Sequence, residues 1–207
     1  MTLDHLIATV PDIRATHRRL LGLGFEEAWP IGPFWPVALT SGVALGGANL
    51  ELVQPDAGAD EARIETLVLA PADHKEAVAF MAPFNERQRD KDESDPHLLA
   101  LRGFPPEMAA RTQRICDNRY PGEGEAKYPF FLCLYAPFLK DRLAPSNFAA
   151  PRGSLTKLAL VAPEPEAVRR LFAGHLGPVE LEVDTGERSR VAAIQFADGS
   201  TLTAGDL

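Results

Sequence analysis

His5 and Glu51 are the residues whose types and setting could do chemistry in this chain. His5 stands in LDHLIATV, an alternating stretch in which residues 3, 5, 7 and 9 share one strand face and Asp4, Leu6 and Ala8 the other. Glu51 is the acid in ANLELVQP; on a strand it lies with Asn49 and Val53, between Leu50 and Leu52, where its burial needs compensation. If the two strands are neighbours, imidazole and carboxylate meet on one concave face. A nitrogen and an oxygen ligand together suit one divalent ion such as Zn, Mn, Fe or Ni. Without a metal, the same pair would hydrogen-bond to each other or to water. Both readings are open at this level.

The stretch around His5 opens a phrase used three times, an alternating strand, a proline turn and an amphipathic helix: residues 3–20, 63–81 and 155–172. Aligning the copies on Pro11, Pro71 and Pro163 places Glu65 and Lys157 at the His5 position. Aligning the closing strands on Pro55 and Pro137 places Cys133 at the Glu51 position. His5, Glu51, Glu65 and Cys133 would then converge if the first two modules pair, with Glu65 free to move a proton as the catalytic carboxylate. Lys157 would hold an anionic ligand or pair with Glu51. Cys133, between Leu132 and Leu134, also reads as a buried inert thiol, and neither it nor Cys116 sits in a CxxC pair.

Each phrase is followed by several short strands, and no glycine-rich phosphate loop follows the first strand, so no nucleotide cofactor is indicated. The fold class expected is α+β: paired βαβββ modules forming a cupped mixed β-sheet, with helices on the outer face. The modules span about 1–55, 61–137 and 154–204 of a single domain over 1–207. Residues 85–96 read as a charge-rich solvated loop, 97–102 as a strand, 105–119 as a helix and 130–135 as a largely buried strand. His17, His74 and His175 read as helix-surface or helix-end residues.

A cup of this kind would take a small-molecule ligand. Trp29, Trp35, Phe130 and Tyr135 would supply apolar contact, and Asn49, Arg102 and Lys157 would orient polar groups. The formal net charge of -8 argues against nucleic acid or an anionic membrane surface as partner. With no apolar run long enough to span a bilayer and no signal-peptide pattern, a cytoplasmic location is expected. A homodimer would cover exposed sheet edges.

LDHLIATVPDIRATHRRLLGLGF followed by GGANLELVQP resembles the opening module of the vicinal-oxygen-chelate superfamily, which includes glyoxalase I, extradiol dioxygenases and bleomycin-resistance proteins. YPFFLCLY before a third opening at Leu155 is similar to its glyoxalase-like branch. The resemblance implies a cup in which His5 and Glu51 match the first-module metal ligands. It also implies either a metal-dependent lyase, isomerase or dioxygenase acting on vicinal oxygens, or a metal-free binding or sequestering protein. Glu65 or Lys157 and Cys133 or Thr203 stand where the remaining ligands would be, which departs from the usual histidine and glutamate set.

Overall fold

The opening strands end in turns that start helices for local reasons. After β1 (Thr2–Thr9), Asp12 caps α1 (Ile13–Gly22) by accepting from the Ala15 N–H at 3.0 Å. After β5 (Arg63–Ala70), Asp73 caps α2 (His74–Met81) by accepting from Glu76 N–H at 2.8 Å, while Glu76 reaches back to Ala72 N–H at 2.7 Å. These elements belong to a computed structural model that describes residues 1–33, 38–91, 116–144 and 147–207.

The first module continues through β2 (Glu27–Pro33), β3 (Ala38–Ala44) and β4 (Asn49–Pro55). The second continues through β6 (Arg87–Lys91), β7 (Cys116–Tyr120) and β8 (Phe130–Tyr135). Together they form one eight-stranded sheet in the order β2-β3-β4-β1-β5-β8-β7-β6. β1 runs parallel to β4 and antiparallel to β5, and β5 runs parallel to β8, so the halves repeat each other about the β1–β5 seam. The sheet is a cupped mixed sheet with α1 and α2 on its outer face, as expected. Two local expectations fail. Residues 87–91 of the charge-rich run and residues 116–119 of the expected helix pair as antiparallel strands, because pairing at the sheet edge satisfies their backbone groups. The expected strand at 97–102 lies outside the described residues.

α3 (Pro137–Arg142) follows β8, and the third phrase supplies β9 (Leu155–Ala162), α4 (Pro165–Phe172), β10 (Glu180–Thr185), β11 (Arg190–Phe196) and β12 (Thr201–Leu202). It repeats the first two in sequence but not in topology. β10 returns directly beside β9 and parallel to it, giving a separate sheet in the order β10-β9-β11-β12. The two sheets share one core. Leu6, Leu50, Leu67 and Leu132 of the large sheet belong to the same buried cluster as Leu158, Val168, Phe172 and Ile194. Phe172 meets Tyr128 and Phe130 edge-on, each at 5.8 Å between ring centroids. Gly46 accepts from Leu155 N–H at 2.8 Å, tying the β3–β4 turn to the start of β9.

Candidate functional site

The core described above covers one face of the large sheet; His5 and Glu51 stand on the other. β1 does not alternate evenly. Leu3 pairs with Leu69 and His5 with Val68, so Asp4 is an extra residue in β1, a β-bulge. The bulge returns Leu3 to the core face with Leu6 and Ala8. It also brings Asp4, placed opposite His5 by simple alternation, to His5's side. Asp4 Oδ2 lies 2.5 Å from His5 Nδ1 and accepts from the Tyr135 hydroxyl at 3.0 Å. On the other side of the ring, His5 Nε2 lies 3.4 Å from Glu51 Oε2, and Thr40 donates to Glu51 Oε1 at 2.7 Å.

His5 is therefore a 5 % exposed imidazole between two carboxylates. Burial opposes its charge most strongly, but the hydrogen bond to Asp4, then that to Glu51, and the charges of both acids outweigh burial and raise its pKa to about 9. Both ring nitrogens carry protons at neutral pH. Burial, then the Asp4 charge, pushes the Tyr135 phenol up, which keeps it a donor to Asp4.

The surrounding face is largely apolar. Ile7, Val68, Phe131, Cys116 and Cys133 cluster there with Tyr135; Phe131 stacks on Tyr120 at 4.8 Å and meets the His5 ring edge-on at 6.2 Å. Burial, then its contact with Cys116, pushes the Cys133 thiol up, and both thiols are free. The Trp29 ring occupies the space that a side chain at Gly42 would fill. Asn49 donates to Leu143 O at 3.3 Å, and the Oδ1 atoms of Asn49 and Asn118 are buried without a partner.

Glu65 is not brought to this group. The prolines register the turns rather than the strands, because the second phrase is one residue shorter between its opening apolar residue and its proline. Strand position aligns Leu3-Asp4-His5-Leu6 with Ile64-Glu65-Thr66-Leu67. Glu65 thus corresponds to Asp4, and it too is an extra residue in the pairing, between the partners of Ile7 and Ala8. Antiparallel pairing carries it away from Asp4 toward the far end of the seam, where it pairs with Arg63 at 3.1 Å. Thr66 stands at the His5 position. Ile7 pairs with Glu51 and Val68 with Phe131, so Phe131 stands at the Glu51 position.

The other candidates disperse. Phe130 is buried in the core with Phe80, Phe84 and Phe172. Lys157 lies on the small sheet, 2.5 Å from Glu182. Trp35 and Arg102 lie outside the described residues. His17 is not a surface residue; it is buried between Ser41 Oγ at 3.0 Å and Glu27 Oε2 at 2.9 Å. That serine–histidine–glutamate row is not a nucleophilic site, since Ser41 is wholly buried beneath α1. Sequence reasoning missed Asp4, Thr40 and Phe131.

A cavity of about 620 Å³ adjoins this group where β1 begins and β5 and β8 end. Asp4, Cys133 and Tyr135 line it from the sheet, α3 lines another side, and Ser154, Leu155, Leu176, Pro178 and Val179 close it from the third module.

Among the described residues, the donor set does not complete a divalent-metal site. Both His5 nitrogens are engaged by carboxylates, and the corresponding second-module positions offer only Thr66 and Phe131. Among the described residues, no group of three or more His, Cys, Asp or Glu side chains is arranged to share an ion.

No protein-family model and no curated protein matches the chain. Solved structures do. A hypothetical protein from Staphylococcus aureus superposes with a TM-score of 0.61 at 9% identity, over 97% of this chain and 96% of that one. A homoprotocatechuate 2,3-dioxygenase from B. fuscum gives 0.52 at 10% identity, over 95% and 56%. A Mn(II)-bound glyoxalase from Novosphingobium aromaticivorans gives 0.51 at 11% identity, over 94% and 64%. The chain shares with these structures a fold of paired βαβββ modules around a cupped sheet, and at these identities the likeness is one of fold alone. No helix of the described residues is long and apolar enough to cross a membrane.

Proposed function

We propose that this protein binds a small organic molecule in the cavity bordered by Asp4 and Tyr135, without a metal ion. The observation that carries the reading is the clamp on His5. A carboxylate at each ring nitrogen makes the imidazole an internal counter-ion rather than a ligand, and the described residues of the second half of the sheet supply none that completes a metal site. In this reading His5 holds Asp4 and Glu51 in place, Thr40 fixes the far oxygen of Glu51, and Tyr135 orients Asp4 at the cavity wall. The cavity is within the range of roughly 300–1,000 Å³ usual for small-molecule sites. A metal-dependent lyase, isomerase or dioxygenase would need further ligands.

Two measurements on the full chain test this. Elemental analysis of protein purified without added metal, then dialysed against Mn, Zn, Fe or Ni and desalted, should show no stoichiometric ion. Phenethyl alcohol, a neutral probe smaller than the cavity, should raise the melting temperature equally with and without EDTA. One equivalent of metal retained by the protein and lost in His5→Ala would overturn the metal-free reading and restore the enzyme.

A further inference from the structure

We propose that Cys116 and Cys133 are a redox-sensitive modification site, joining in a reversible disulfide when a peroxide reaches them. They are the only two cysteines in the chain, and the fold brings them together from adjacent strands. In the β7–β8 pairing Cys116 stands opposite Tyr135 and Cys133 opposite Asn118, so the two cysteines share one face as diagonal neighbours. Both are free and buried, and with Val68 they form one packed cluster. Their thiols are hydrogen-bonded to each other. Two hydrocarbon side chains would fill that space as well; two sulfurs in contact can also bond.

Cys133 lines the cavity of about 620 Å³, which gives a small oxidant a way to its sulfur. With hydrogen peroxide, the Cys133 sulfur attacks one peroxide oxygen, the O–O bond breaks, and the thiol proton leaves with the departing oxygen as water. The Cys116 sulfur then attacks the resulting sulfenic acid, the S–O bond breaks, and a second water carries off the remaining thiol proton. Two thiols lose two electrons, and one peroxide becomes two waters. Burial, then the contact with Cys116, holds the Cys133 thiol protonated, so the first step is slow at neutral pH. Strand geometry governs the reverse reaction. Diagonal neighbours have Cα atoms roughly 7–8 Å apart, beyond the span of up to about 6.8 Å usual for a disulfide. Closing the bond must draw β7 and β8 together, and a strained disulfide is open to reduction by monothiols.

The test exposes the full, folded chain to hydrogen peroxide, then unfolds it in urea with iodoacetamide to label the remaining thiols. Both thiols should disappear together, and peptide mapping without reductant should show the Cys116 and Cys133 segments joined within one chain. Reduced glutathione should restore both. In Cys116→Ser the Cys133 thiol, with no partner, should instead go on to the sulfinic acid, which glutathione does not restore. Should that variant not fold, the wild-type map decides alone. Loss of one thiol only, sulfinic acid on either wild-type cysteine, a link between two chains, or two thiols that survive would overturn the proposal. So would a bond that glutathione leaves intact, since that is a structural staple. None of these outcomes depends on whether the cavity holds a ligand.

Discussion

At the scale of single residues, the site is a charge balance around one imidazole. His5 titrates at about 9 in the folded chain and at the ordinary 6.5 when unfolded. A raised pKa means the folded state holds the proton more tightly, so the stabilisation is complete below pH 6.5. It is lost as pH climbs through 9, amounting to on the order of 3 kcal/mol. Among the described residues, the titratable groups in contact with the ring are Asp4, Glu51 and Tyr135. Burial pushes Tyr135 up, so the carboxylates set the slope. Urea unfolding of the wild type should therefore show stability falling between those two pH values, and His5→Gln should flatten that fall. An equal fall in the variant would assign the slope to other groups. His5 and Glu51 were legible in the sequence because a histidine and an acid each stand in an apolar alternating strand. Asp4 was not, because strict alternation assigns consecutive residues to opposite faces and one bulge reverses that.

At the scale of elements, the β2–β3 hairpin depends on a missing side chain. A Cβ at Gly42 would lie 2.4 Å from carbons of the Trp29 ring, so alanine there must move a large rigid group. Gly42→Ala should cost about 1–3 kcal/mol and shift the Trp29 emission to the red as the ring is displaced. Unchanged stability and emission would mean the ring has room to move. Strand-turn-helix phrases were readable from period and punctuation, and α1 and α2 form with the aspartate caps and proline turns the sequence displays. The third phrase shows the limit of that reading. Its order of elements matches the others, but strand neighbours are set by long-range packing, and β10 returns beside β9 where β4 alone takes that place beside β1. The face of FFLCLY was likewise undetermined in a run with no polar alternation; pairing with β5 puts Phe130 in the core and Phe131 beside His5.

At the scale of the whole molecule, the third module is joined to the cup by an aromatic seam and closes the cavity from one side. Phe172 of α4 sits against Tyr128 and Phe130 of the second module, and Phe130 meets Phe80 of α2 edge-on at 5.7 Å. Because one continuous buried cluster runs through both sheets, removing a ring at the seam should weaken both together. Phe172→Ala should cost about 3–5 kcal/mol by loss of burial and the cavity left behind. Both tryptophans, Trp29 and Trp35, lie in the first module's sequence, so their fluorescence follows that module while far-UV circular dichroism follows the whole chain. In the variant the two midpoints should fall together in a single transition. A circular dichroism midpoint that falls while the tryptophan midpoint stays fixed would show that the small sheet unfolds on its own. The cavity would then open by local unfolding of the third module, and ligand affinity would track the stability of the small sheet rather than that of the cup.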